Sequence, residues 1–132
     1  ANDEMPPRDG LRFEDCEGVV VSGMSAERLC GGSTEEGASL TFLRCRDSSV
    51  SDCQILDSPH VGVELVDCTC CRVTNNSIID RRETSRMRHA IRVSGHSRLN
   101  LIAGNLISGA AKDPVAPDAA AAAVRDNLID EQ

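Results

Sequence analysis

Short runs of alternating aliphatic and polar residues recur along the chain, each followed eight or nine positions later by a pair of aliphatics five positions apart. The pairs read Val50-Ser-Asp-Cys-Gln-Ile55, Val73-Thr-Asn-Asn-Ser-Ile78, Ile102-Ala-Gly-Asn-Leu-Ile107 and Val124-Arg-Asp-Asn-Leu-Ile129, with a more worn copy from Val21 to Ala26. Successive copies begin 29, 23, 29 and 22 residues apart. Ahead of the first four lie stretches of strict alternation, Leu11-Arg-Phe13, Leu40-Thr-Phe42, Val63-Glu-Leu65 and Ile91-Arg-Val93. A period of two sends neighbouring side chains to opposite faces, so these stretches predict strands and not helices.

A unit of three very short strands cannot bury its apolar face alone and must stack on its neighbours. The predicted architecture is all-β, a short right-handed parallel β-helix of four to five coils, one coil per repeat and about 4.8 Å between coils. Three inward rows follow. Leu11, Leu40, Val63 and Ile91 stack with Phe13, Phe42, Leu65 and Val93. Val21, Val50, Val73, Ile102 and Val124 stack beside Ala26, Ile55, Ile78, Ile107 and Ile129. Met24, Cys53, Asn76, Asn105 and Asn127 share a bend, where each carboxamide bonds the next in an asparagine ladder.

The division of the chain is into residues 1–10, a polar segment or cap, and residues 11–132, the solenoid, with 110–132 as its last coil or a C-terminal cap. Pro117-Asp118 followed by five alanines suits a helix start. Val115 stands nine residues before Val124, as Val93 does before Ile102, and this favours a fifth, thinner coil.

The pattern of aliphatic-x-aliphatic, a small polar stretch, then aliphatic-x-x-Asn-x-aliphatic resembles the parallel β-helix repeats of the pectate-lyase-like superfamily, over roughly Leu11 to Ile129. The resemblance implies the handedness and an extracellular or cell-surface setting. It is almost silent about activity, because that superfamily includes lyases, hydrolases, epimerases, adhesins and viral spike proteins.

Composition narrows the function classes. Two aromatic residues, Phe13 and Phe42, and a net charge of -7 speak against nucleic acid as a partner, since neither stacking platforms nor a phosphate-neutralising surface is present. No run of about 18 apolar residues exists, so no membrane span is expected. The first ten residues lack the basic and apolar regions of a signal peptide, which leaves the compartment open.

Seven cysteines include a C-x-x-C in Cys68-Thr-Cys70-Cys71, without the second pair that a structural zinc site needs. Cys16, Cys45 and Cys68 each lie five residues after the first aliphatic of a coil, with His96 in that place in the next, so a packed column at the first bend is expected. The coil spacing would also admit a disulfide. No cofactor or metal is called for.

Enzymes of the superfamily work on the outer face of the first sheet. Here that face should carry Arg12, Thr41, Glu64 and Arg92, then Glu14, Leu43, Val66 and Ser94. Glu14 and Glu64 stand two coils apart, about 10 Å, too far for a carboxylate pair of a retaining glycosidase. Asp57 and Asp80 form a closer pair, each two residues past Ile55 or Ile78 and so on adjacent coils, with His60 and His89 following in the loops. Close carboxylates raise one another's pKa, and a nearby histidine can act as base. These four are the candidate catalytic residues, against the plainer account that Asp is common in turns.

Six of thirteen arginines, Arg81, Arg82, Arg86, Arg88, Arg92 and Arg98, fall within eighteen residues holding one acid, Glu83. Residues 1–39 hold nine acids and three arginines. Arg82, Arg86, Arg88 and Arg92, with Glu64, are the candidate ligand-binding residues, since guanidinium forks match carboxylates. The expected partners are an anionic polysaccharide and further copies of the chain or a larger parent protein, helped by a small apolar strip at Leu43 and Val66. Two functions follow: a binding or structural module, and, as the alternative, a lyase, hydrolase or epimerase acting on an acidic glycan.

Overall fold

The computed structural model describes residues 10–27, 37–117 and 121–130. Among these residues fifteen strands wind through five coils. The first coil holds β1 (Leu11–Glu14), β2 (Val20–Ser22) and β3 (Ser25–Glu27), and the second β4 (Ala38–Leu43), β5 (Ser49–Ser51) and β6 (Gln54–Leu56). The third holds β7 (Val61–Val66), β8 (Arg72–Thr74) and β9 (Ser77–Ile79), and the fourth β10 (His89–Ser94), β11 (Asn100–Ala103) and β12 (Leu106–Ser108). β13 (Val115–Pro117), β14 (Ala122–Arg125) and β15 (Leu128–Asp130) close the fifth. The coils stack as three parallel five-stranded sheets, β1-β4-β7-β10-β13, β2-β5-β8-β11-β14 and β3-β6-β9-β12-β15. The chain is an all-β parallel solenoid.

The register is the one the repeats imply. Leu11 pairs Leu40, Leu40 pairs Val63, and Val63 pairs Ile91. In the other two sheets Val50 pairs Val73, and Ile55 pairs Ile78. Leu40, Phe42, Ile55, Val63, Ile78, Ile91, Ile102 and Ile107 are fully buried, each contributing about 1.5–3 kcal/mol by leaving water. Phe13 and Phe42 stack with ring centroids 5.1 Å apart. Two rings serve because the interior is only a few side chains across. The C-terminal stretch 121–130 is turn and strand, so the helical cap is not adopted there; Ala122 and Val124 instead pair Asn100 and Ile102. The polar segment 1–9, and residues 118–120 and 131–132, lie outside the described residues.

The asparagine ladder occupies the second bend. The Asn76 backbone N–H and amide both donate to Asn105 Oδ1, and those of Asn105 to Asn127 Oδ1. The residue before each rung, Gly23, Asp52, Asn75, Gly104 and Asp126, has a φ of 55–70°. Gly, Asp and Asn tolerate that left-handed region at little steric cost, which explains their place before the rung.

At the first bend the column is corrected by one residue. Glu17, Arg46, Thr69 and Arg98 pair in register, so Cys16, Cys45 and Cys68 are followed by Ser97, and His96 lies exposed. His96 is the extra residue, because Gly95 follows Ser94 in the same left-handed place that Asp15, Arg44 and Asp67 hold after their strands. The φ of Gly95 is +72°, and a Cβ there would run into the Asp67 carboxylate, which accepts from the His96 N–H at 2.7 Å. Cys16, Cys45, Cys53, Cys68, Cys70 and Cys71 are all free thiols.

Candidate functional site

Asp57 and Asp80 leave the third sheet at the same height on adjacent coils: Leu56 pairs Ile79, the Asp57 N–H donates to Ile79 O, and that of Asp80 to Ser108 O. Both are buried, and both are engaged. Arg81 donates to Asp57 through its backbone N–H at 2.8 Å and its guanidinium at 2.7 Å, and also reaches Glu27 at 3.1 Å, tying together three coils. The Asp80 carboxylate gathers the Arg82 guanidinium at 2.8 Å and the backbone N–H groups of Arg82, Arg86 and Met87 at 3.1, 2.7 and 2.9 Å. Arg82 also donates to Ser58 O at 2.9 Å.

The expected mutual raising of the two pKa values is not what the surroundings produce. The Arg81 guanidinium holds Asp57 below the ordinary carboxylate value, against burial and against Asp80. Burial opposes ionisation of Asp80, yet the Arg82 guanidinium and three backbone donors outweigh it and hold the group at about 2. Both carboxylates are therefore anionic at neutral pH and fix the path of the 80–88 loop.

His60 is buried, and its carbonyl accepts from the Arg88 N–H at 2.7 Å. His89 Nδ1 lies 2.7 Å from Asp113 O, the carbonyl of the next loop, and the ring is largely buried. The two histidines thus brace loops on successive coils. On the outer face of the first sheet Glu64 is buried and accepts the guanidinium of Arg92, with Nε at 2.8 Å. Leu43 and Val66 stand in register and half-buried on that face.

Arg86 and Arg88 differ from their neighbours. Both side chains are exposed, and among the described residues neither makes an ion pair, whereas Arg81, Arg82 and Arg92 each do. They line an open depression of about 550 Å³ with Ser85 and Ala111. The 109–114 loop forms its other wall, with Ala111 N–H donating to Met87 O at 2.7 Å and Lys112 N–H to Arg88 O at 3.1 Å. Gly109 allows the two loops to close. Its φ is +83°, and a Cβ would collide with the Asp80 carbonyl. Ser85 and Ala111 carried no signal in the sequence, because the wall they form depends on a contact between two loops.

A second open depression, about 580 Å³, lies on the outer face of the second sheet, lined by Ser49, Ser51, Arg72, Thr74, Asn75 and Leu101 among others. It is remote in the coil from the four candidate catalytic residues and holds no histidine. Among the described residues no group of His, Cys, Asp and Glu is arranged to hold a metal ion, and no helix is long and apolar enough to cross a membrane. No protein-family model, curated protein or solved structure matches the chain.

Proposed function

We propose that this solenoid is a binding module of the pectate-lyase-like type that holds an anionic polysaccharide at the Arg86–Arg88 depression. The observation that carries the reading is the contrast within one arginine cluster. Arg81, Arg82 and Arg92 are consumed by Glu27, Asp57, Asp80 and Glu64, while Arg86 and Arg88 point outward on a loop whose backbone is fixed by the Asp80 carboxylate. Guanidinium groups held on a pinned backbone meet a carboxylate or sulfate with little ordering cost. A chain repeating anionic groups would engage neighbouring sites through copies of the module, or through further coils of a larger parent protein.

The binding reading is favoured over the glycan-cleaving one by the state of the carboxylates. A general acid needs a pKa raised toward the working pH, and Asp57 and Asp80 are both shifted the other way. Affinity electrophoresis in gels containing polygalacturonate, alginate or neutral dextran tests the proposal. The acidic polymers should retard the protein and dextran should not. The retardation should fall with added salt and be lost in Arg86→Ala/Arg88→Ala. Retardation that survives the double substitution overturns it.

A further inference from the structure

The outer face of the second sheet is laid out in rows that run along the solenoid. Ser49 pairs Arg72, and Arg72 pairs Leu101; two residues on, Ser51 pairs Thr74, and Thr74 pairs Ala103. Val50, Val73 and Ile102 between them are buried, so the side chains of both rows alternate outward. At the bend that follows stand the left-handed residues Asp52, Asn75, Gly104 and Asp126. The row of Ser51, Thr74 and Ala103 is short and makes a floor. Arg72 and Leu101 flank it on one side and the bend residues on the other, around the open depression of about 580 Å³. Gly104 leaves a gap in the bend row, since a Cβ there would run into Asn75 Oδ1.

Among the described residues no hydrogen bond or ion pair engages the polar side chains of this trough. The first sheet is different: on its outer face Arg12 is paired with Glu14, and Arg92 with Glu64. The second sheet therefore presents a set of uncommitted donors and acceptors on strands whose inward side chains are packed. We infer that this trough is a binding site for a neutral, extended oligosaccharide lying along the solenoid axis. It does not rest on the reading of the Arg86–Arg88 depression.

Spacing, chemistry and charge select that ligand. The step between coils is about 4.8 Å, close to the length of one sugar ring in an extended chain, so successive rings meet successive coils in the same way. Hydroxyl groups both donate and accept. Ser51, Thr74 and Asn75 can do either, the Asp52 and Asp126 carboxylates accept, and Arg72 donates. Leu101 and Ala103, both half-buried, offer an apolar surface to the C–H face of a ring. One guanidinium stands against two carboxylates, a net charge of -1, so a polyanion is repelled here where a neutral chain is not. Strands already fixed by their buried faces hold these groups with little ordering cost on binding.

The test follows amide signals in nitrogen–proton correlation spectra of the whole chain during titration with cellotriose, mannotriose and xylotriose at millimolar concentration, with trigalacturonate and trilysine for comparison. At least one neutral sugar should give saturable shifts at Ser51, Thr74, Asn75, Ala103 and Gly104. The shifts should be unchanged in Arg86→Ala/Arg88→Ala, kept in Thr74→Ser and lost in Thr74→Arg, which fills the floor. The signals of Asn76 and Asn105, inside the ladder, check that each variant is folded, and the titration of the unsubstituted protein stands independently of them. Trigalacturonate should leave the trough signals in place and move those of residues 85–88, so the two sites pass or fail separately. The inference is overturned if none of the neutral sugars moves the trough signals, if their shifts survive Thr74→Arg, or if trigalacturonate or trilysine moves the same signals as strongly.

Discussion

Asn105 accepts two hydrogen bonds from Asn76 on one carboxamide oxygen, from the backbone N–H and from the side-chain amide, both at 3.0 Å. Its own amide donates to Val73 O at 3.0 Å and to Asn127 Oδ1 at 2.9 Å, so one side chain makes four hydrogen bonds inside the solenoid. Asn105→Ala removes all four, although Asn76 Nδ2 keeps Val50 O and Asn127 Oδ1 keeps the backbone N–H of position 105. At about 1–3 kcal/mol for each buried group left unpaired, partly relieved by relaxation, the cost should be about 3–5 kcal/mol. Asn127, in the half-buried last coil, should cost about 1–2 kcal/mol. Urea midpoints of the two variants check the difference, and equal losses would refute the ladder's inward gradient.

Asp80 sets the acid limit of the 80–88 loop. Its folded pKa of about 2 lies below the ordinary value of 3.8, so its stabilisation is complete above about pH 4 and drains away as the pH falls toward 2. The shift corresponds to about 2 kcal/mol. Unfolding midpoints between pH 5 and pH 2 should fall in the wild type and fall less steeply in Asp80→Asn. That variant should already be weaker at pH 7, since an amide cannot accept from every donor the carboxylate now serves.

The solenoid was legible in the sequence because its cause is local and periodic. Alternation gives strands, and equal spacing of Val50–Ile55, Val73–Ile78 and Ile102–Ile107 gives the register. Where one residue breaks the period, as His96 does after Gly95, counting from the strand misplaced the column by one and gave His96 the place of Ser97. The site was less legible. Spacing put Asp57 and Asp80 side by side, but composition alone does not reveal that Arg81 and Arg82 turn back onto them while Arg86 and Arg88 turn away. That partition depends on the three backbone N–H groups converging on Asp80, a tertiary arrangement with no repeat to announce it.

Gly109→Ala tests the contact between the 80–88 and 109–114 loops. The glycine has φ +83° and sits against the Asp80 carbonyl, so an added methyl meets backbone that has nowhere to move and forces a left-handed conformation on alanine. A loss of about 2–4 kcal/mol is expected, larger than the usual glycine effect. Thermal unfolding measures it. The equivalent change at Gly18, which has open space around a φ of +75°, should cost only the conformational part, about 1–2 kcal/mol.

The arginine cluster should separate into stabilising and binding members. Arg92 neutralises Glu64, whose carboxylate is 3% exposed, and Arg92→Ala leaves that charge buried without its guanidinium. Breaking a buried pair by removing one partner is strongly destabilising, and since Arg92 is itself about one-third exposed a loss of about 2 kcal/mol is expected. Glu64→Gln in the Arg92→Ala background should recover part of it, because the amide carries no charge to strand. Neither change should alter retardation by acidic polymers once the protein is folded. Arg86→Ala and Arg88→Ala should do the reverse, leaving the urea midpoint within about 0.5 kcal/mol of wild type while reducing binding. Matched urea and electrophoresis measurements on the four proteins decide it: if Arg92→Ala weakens binding without loss of stability, the outer face of the first sheet holds the ligand and the loop does not.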